Sequence, residues 1–308
     1  MNGEKMIPAR LDAVTIRYGR TVACDGLSLS VEEGTVYALL GRNGAGKTSA
    51  IRCLLGQRRP QGGRAFLFGR PALHSRTAAM KRIGVVPERP DAPRDWTARD
   101  LISFHRGLYE KWDAVGVLRR FERFGVPLKT PFGRLSRGQQ SHVQLALALG
   151  HGPELLVLDD PVLGLDAVAR RAFYEETVDH LAGSGAAVLI ATHDLDGVEG
   201  LATRVGFLEA GRILLEENLE RLKERIVRIR FLEGLQAAAA RESLPGGCAV
   251  LSEESLGGSV AWVVRLEEKA IERPLAGLLG AEAEREALSL EEIFVALCGD
   301  GAGNGGAQ

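Results

Sequence analysis

The sequence predicts an α/β fold. A mostly parallel sheet carries the chemistry, beside an antiparallel β subdomain and a helical insert, and a small accessory α/β module follows. Three observations carry that prediction. Short apolar runs such as Leu155-Leu156-Val157-Leu158 and Ala186 to Ala191 read as strands buried on both faces. Helical patterns stand between such runs, and strands alternating with helices favour parallel pairing. Both runs end in polar residues, Asp159-Asp160-Pro161 and Thr192-His193-Asp194, where open α/β sheets place their chemistry.

The antiparallel part comes first. Leu11 to Tyr18 alternates, with Val14, Ile16 and Tyr18 on one face, and Leu27, Leu29 and Val31 repeat the pattern. Glu32-Glu33-Gly34 makes a turn, and Gly62 to Gly69 reads as a further short strand. Between them Thr35 to Leu40 suits a buried strand and Ser49 to Leu55 a helix. The link is Gly41-Arg42-Asn43-Gly44-Ala45-Gly46-Lys47-Thr48-Ser49. It reads G-x-x-x-x-G-K-T, the phosphate-binding P-loop, in the strand–loop–helix context that the motif needs. Gly44 and Gly46 let backbone N–H groups turn toward a phosphate, and the helix N-terminus adds partial positive charge there. Lys47 would reach the β- and γ-phosphates, and Thr48 would place its hydroxyl on Mg²⁺.

Ile83 to Glu88 reads as a strand ending at Pro87, followed by a proline-rich loop to Trp96. Thr97 with Asp100 three residues on forms a helix start. From there to Phe124, Leu101, Phe104, Leu108, Val115, Leu118 and Phe121 keep helical spacing. Leu135-Ser136-Arg137-Gly138-Gln139-Gln140 opens another helix, so residues 90–150 read as a mostly helical insert. Val205 to Leu208 and Ile213 to Leu215 form a hairpin across Ala210-Gly211. Composition shifts near Asn218. Leu219 to Arg225 reads as a charged helical link and Ile226 to Phe231 as a strand. Residues 235–244 form an Ala-rich helix, Ala249 to Ser252 and Val260 to Leu266 two strands, and Leu288 to Leu297 an amphipathic helix. The expected division is therefore 1–218, 219–298 and a Gly-rich, disordered tail at 299–308.

Of 308 residues, 45% are apolar and 26% charged, as in an ordinary soluble protein. The net charge of −1 gives no global basic excess for nucleic acid. Four widely spaced cysteines, Cys24, Cys53, Cys248 and Cys298, fit reduced thiols better than a disulfide frame or zinc site. His105, His142 and the tryptophans form no site-like group and read as packing or surface. Met1 to Asp12 carry no secretory h-region. No run approaches the ~18 apolar residues of a spanning helix, so a membrane role is expected through a partner chain.

Taken together, the P-loop, the Leu135-Ser136-Arg137-Gly138-Gln139 segment, the Asp159-Asp160 strand end, Gly164-Leu165-Asp166 and His193 stand in a fixed order. That order resembles the ATPase subunit of an ATP-binding cassette (ABC) transporter over roughly residues 9–215. The resemblance implies the P-loop NTPase fold and roles for residues. Tyr18 would stack on adenine, and Gly41 to Ser49 would hold the phosphates. Asp159 would bind Mg²⁺ through water. Glu88 stands where a loop usually carries Gln to touch Mg²⁺ and the attacking water. Ser136, Gly138 and Gln139 match the signature that faces the γ-phosphate held by a second ATPase subunit. Asp166 matches the loop that crosses the dimer interface, and His193 the switch histidine on the γ-phosphate. Three positions depart: Arg137 replaces the commonest Gly, Glu88 the usual Gln, and Asp160 the usual catalytic Glu.

The implied cofactors are ATP and Mg²⁺. The implied partners are an integral membrane subunit and a second ATPase subunit, alike or different. No nucleic acid is expected, and the implied location is cytoplasmic, peripheral on the inner face of the cell membrane. The single cassette resembles the ATPase of drug, antibiotic or polysaccharide exporters, which implies export; those chains also end in a small extra domain, a likeness that rests here mostly on Ser289-Leu290-Glu291-Glu292-Ile293-Phe294. Two alternatives stay open: a hydrolysis-poor regulator paired with an active paralogue, favoured by Asp160, and a soluble ABC ATPase outside transport.

Overall fold

The computed structural model describes residues 6–231, 237, 240, 241, 244, 247–256, 259–267 and 283–298. The expected tail at 299–308 and most of the Ala-rich segment at 235–244 lie outside them. The chain divides into two compact units, Met1–Glu216 and Glu217–Gln308.

The first unit is built on a six-stranded sheet. Its strands are β3 (Val36–Leu40), β6 (Ile83–Val86), β7 (Leu155–Asp159), β8 (Ala187–Thr192), β9 (Arg204–Glu209) and β10 (Arg212–Asn218), in the order β10-β9-β3-β8-β7-β6. Every residue of β3, β7 and β8 is buried, which is why these runs lack polar alternation. β3 pairs in parallel with β8 and β9, and β7 with β6 and β8. Leu40 stands opposite Thr192, and Asp159 opposite Ala191. Three strand ends thus reach the same edge within a residue of one another.

A four-stranded antiparallel sheet, β2-β1-β4-β5, accompanies it. It joins β1 (Ala9–Tyr18), β2 (Thr21–Val31), β4 (Gly62–Leu67) and the short β5 (Arg70–Pro71). Leu11, Val14, Ile16, Leu27 and Leu29 share one core with Ile51 and Leu54 of helix α1 (Lys47–Leu54), so the two sheets enclose that helix. Helix α2 (Ala72–Met80) was not expected. It follows Pro71 and has no side-chain cap.

The helical insert holds α3 (Ala98–Leu108), α4 (Ala114–Arg123) and α5 (Arg137–Leu149). Thr97 and Asp100 form the capping box that opens α3. The helical spacing read through to Phe124 is interrupted. Tyr109 leaves α3 in an extended conformation, and Asp113 starts α4 by accepting from Gly116 N at 2.8 Å. Only part of the apolar series is core: Leu101 and Phe121 are buried with Val117, Leu135 and Val143. Phe104, Leu108, Val115 and Leu118 are 48%, 54%, 66% and 40% exposed. At the end of α3, Tyr109 stacks on His151 at 4.1 Å, and Trp112 and His105 extend the ring stack. α4 is held to α6 (Ala167–Ser184) by Arg120 Nε and Arg123 Nη1, which reach the buried Glu176 carboxylate at 2.5 and 2.9 Å. Helix α7 (Leu195–Glu199) links β8 to β9.

The second unit opens with α8 (Leu219–Arg225), capped by Asn218 Oδ1. Its antiparallel sheet runs β12-β13-β11-β14, from β11 (Ile226–Phe231), β12 (Ala249–Leu256), β13 (Ser259–Arg265) and β14 (Glu284–Ala287). Val227, Ile229 and Phe231 pack with Trp262 and Val264, the Phe231 and Trp262 rings 4.7 Å apart. β14 was not expected, because Glu-Arg-Glu-Ala has no apolar alternation. It is held by pairing with β11 and by Arg230 on Glu286 at 3.0 Å. The last described helix, α9 (Leu290–Cys298), starts with Ser289 and Glu292 bonding each other's backbone N–H groups.

Candidate functional site

The site begins where β3 ends. Gly46 has φ 115°, a left-handed backbone that Gly adopts freely, and a Cβ there would collide with the carbonyl of Ala23. Gly46 therefore both turns the loop and lets it lie against β2. Lys47 follows as the first residue of α1, and its side chain is almost wholly buried. Its ammonium bridges the loop from inside, donating to Gly41 O at 2.8 Å and Arg42 O at 3.3 Å. Asp160 Oδ2 stands 3.9 Å from it. Burial lowers the Lys47 pKa, and Asp160, Asp159 and Glu88 oppose that shift.

Thr48 Oγ1 donates to Asp159 Oδ1 at 3.1 Å, which joins α1 to the end of β7. Burial pushes the Asp159 carboxyl up to about 6, with help from Asp160 and Glu88 and against the Thr48 hydrogen bond. Asp160, the next residue, has φ 41°. Its N–H donates to Ala191 O at 2.7 Å, and its Oδ1 accepts from both His193 N (3.1 Å) and His193 Nδ1 (2.8 Å). The Nδ1 side of the imidazole thus faces the Asp160 carboxylate.

Tyr18, Asn43, Gly44, Gly46, Lys47, Thr48, Ser49, Glu88 and Asp160 line one cleft, with Ala23 and Leu163. Gly41 and Ala45 are buried in the loop's own turn, and Arg42 is exposed at its start. Asp159 lies on the adjoining groove, which Thr48 and Glu88 share. Tyr18 is 41% exposed, and the Arg58 guanidinium lies 4.8 Å from its ring centre. Arg58 is anchored by donating to Arg17 O at 3.1 Å. Ala23, Leu163 and Arg58 escaped the sequence reading, since none belongs to a spaced motif.

Ser136, Gly138, Gln139 and Asp166 do not line that cleft. Ser136 caps α5 in a reciprocal capping box with Gln139, and Asp166 caps α6 by accepting from Ala169 N at 2.8 Å. The two helix starts are neighbours. Gly138 faces Leu165 and Ala169, and the side chain of Arg137 lies against Gly164. Arg137, where Gly is commonest, therefore packs onto the loop that precedes Asp166.

Three carboxylates near one ammonium, with a hydroxyl on the innermost carboxylate, suit a divalent cation that arrives with phosphate. Among the described residues no group of three or more His, Cys, Asp or Glu side chains could hold a metal by itself.

The family model described as ABC transporter matches residues 24–163. The Nod factor export ATP-binding protein I of Burkholderia orbicola is 33% identical over 290 residues, covering 92% of this chain and 94% of that protein. This chain belongs to the ABC transporter ATP-binding proteins. Another such protein, the bacitracin transport ATP-binding protein BcrA of Bacillus licheniformis, is 32% identical over 215 residues, 69% of this chain and 70% of that one. Solved ABC structures share the fold. An ATP-binding subunit of an ABC transporter gives a TM-score of 0.63 at 23% identity, over 70% of this chain and 91% of that one. A bacterial ABC cassette solved as a dimer gives 0.63 at 20% identity, over 68% and 98%. As an ABC transporter ATP-binding protein the chain has no described helix long and apolar enough to cross a membrane.

Proposed function

We propose that this chain binds MgATP, hydrolyses it slowly, and thereby powers export through a separate integral membrane subunit. The observation that carries the reading is the convergence of Lys47, the Thr48–Asp159 pair and the Asp160–His193 pair on one strand edge. Relatives named for Nod factor export and bacitracin transport support the assignment to transport and the outward direction. Tyr18 would receive the base, and the loop from Gly41 to Ser49 the phosphates. Thr48, Asp159 and Glu88 would hold Mg²⁺, whose positive charge would offset the negative charge of the phosphates.

The reaction breaks the bond between the β–γ bridging oxygen and the γ-phosphorus and forms one from water oxygen to that phosphorus. Asp160 takes the water proton, and Lys47 meets the charge on the phosphates. Asp is one methylene shorter than Glu, a retreat on the order of 1 Å, and misplacement of that size can cost roughly 10²-fold in rate. The hydrogen bond from His193 holds the shorter carboxylate in place, but it also engages one of its oxygens, and hence turnover is slow.

Each chain supplies half of two sites. Ser136, Gly138, Gln139 and Asp166 lie outside its own cleft, so they would complete the site of a second ATPase subunit. The exposed apolar residues Phe104, Leu108, Val115 and Leu118, with the groove at Pro87 to Asp91, offer the membrane subunit a docking surface. The protein would then sit on the cytoplasmic face of the membrane through that partner.

Calorimetry on the purified chain tests the reading. Lys47→Ala should weaken MgATP binding by roughly ten- to a hundredfold, as loss of a charge-assisted bond implies. Unchanged affinity would sink it. A second reading, a regulatory subunit that binds ATP without turning it over, is favoured by the engagement of Asp160 Oδ1 with His193. Steady-state turnover separates the two.

A further inference from the structure

Asp194 follows His193 and stands at the N-cap of α7. An aspartate there ordinarily turns its carboxylate back onto the first free N–H groups of the helix. This one makes no such cap bond. Both oxygens instead reach across to α6, where Arg170 Nη1 donates to Oδ1 at 2.9 Å and the Tyr174 hydroxyl donates to Oδ2 at 3.0 Å. Tyr174 is buried. Gly197 closes the third side: a Cβ there would collide with both the Asp194 carboxylate and the Tyr174 ring. The close approach of α7 to α6 is therefore built for this contact.

The backbone is held as well. Asp194 N donates to Thr192 Oγ1 at 3.0 Å, and Thr192 is wholly buried at the end of β8. His193 thus lies between two anchored neighbours while its own N–H and Nδ1 meet Asp160. On the other side, Arg170 comes one turn after Asp166 and donates its N–H to Asp166 O at 2.9 Å. One helical turn and one carboxylate connect the start of α6 to the histidine segment.

We propose that Arg170, Tyr174 and Asp194 are positioning residues that hold His193 in line with Asp160 and tie it to the N-terminus of α6. A contact made by the Asp166 loop with a second subunit would then be felt at the hydrolytic centre of the same chain. The proposal rests on the reading that His193 and Asp160 act on ATP.

The test uses the purified full-length chain. Tyr174→Phe removes one hydroxyl, and Asp194→Asn weakens both contacts. Each should lower kcat about tenfold while KM for ATP and MgATP affinity stay within about twofold. Arg170→Lys, which keeps a donor, should retain more of kcat than Arg170→Met. The decisive spectroscopic readout is the nitrogen NMR signal of the His193 imidazole, assigned by its loss in His193→Gln. The parent should show the proton on Nδ1, and Tyr174→Phe and Asp194→Asn should shift that signal. Unchanged kcat and imidazole signals in Tyr174→Phe would overturn the proposal, as would a parallel loss of MgATP affinity. A parent that binds MgATP but shows no turnover would defeat the hydrolysis reading. The imidazole signals alone would then decide: a shift upholds the positioning role, and no shift ends it.

Discussion

The backbone at Asp160 explains the residue found there. At φ 41° it lies in the left-handed region, which Asp and Asn enter more readily than longer side chains. The departure from Glu thus follows a local backbone preference, and it guides the choice of variants. Asp160→Asn keeps the conformation and removes the carboxylate proposed as base, so kcat should fall by roughly 10²- to 10⁴-fold with MgATP affinity intact, as single-turnover kinetics and calorimetry would report. Equal turnover would place the base elsewhere. Asp160→Glu regains about 1 Å of reach but meets left-handed strain of about 1–2 kcal/mol, so a gain in kcat would mean that reach, not strain, limits the reaction. At this scale the sequence is legible wherever chemistry follows spacing. Lys47, Thr48 and Asp159 stand at motif distances, and the structure brings them together. Arg58 on Tyr18 and Arg170 on Asp194 pair across unrelated segments. Through-space pairs of common residue types leave no periodic trace in a chain.

The elements were legible by period, and their partners were not. Continuous apolar runs gave β7 and β8 because both faces are covered. The alternation in 11–18 gave β1, one face of which packs on α1. α2 and β14 escaped because neither carries the usual sign: α2 lacks a polar cap, and β14 is charged on both faces. In the insert, the apolar spacing from Leu101 to Phe121 forms one pattern in the sequence. It holds two populations, and only the packing against α5 separates buried Leu101 and Phe121 from exposed Phe104 and Val115. Exposed large apolar residues are candidates for a contact surface. Phe104→Asp with Val115→Glu should therefore leave MgATP affinity and thermal stability of the isolated chain nearly unchanged. Co-expressed with the membrane subunit, the double variant should be lost from the membrane fraction. Retention there would place docking elsewhere.

For the whole molecule, the proposed half-sites would require assembly. The chain should be monomeric or weakly associated without nucleotide and dimerise with MgATP when hydrolysis is blocked. Light scattering that finds no ATP-dependent dimer, alone or with a paralogue, would contradict the composite site. Acid stability follows from buried His142 and the half-buried His105, His151 and His180. Burial drives His151 down to about 4 and lowers His105, His142 and His180 as well. Unfolded histidine titrates near 6.5, so the unfolded chain binds more protons below that pH, and stability falls as pH drops from about 6.5 toward 4. Asp159, raised to about 6, opposes this, since the folded chain takes up its proton first. Four groups against one should leave a net loss, and the urea midpoint should be lower at pH 5 than at pH 7.5. An equal or higher midpoint would contradict that balance.

The parallel sheet also acts as a ruler. Leu40 faces Thr192, and Asp159 faces Ala191, across adjacent strands. One residue added within β3, β7 or β8 would slide one strand end by about 3.3 Å and turn its side chains to the other face. The hydroxyl, carboxylate or imidazole at that end would miss its partners even if the core repacked. The opposite ends of the same strands carry none of these site groups, and their contacts are those of packing. Insertions and deletions in descendants of this chain should gather at 32–35, 151–154 and 185–186, and be purged from the strands themselves.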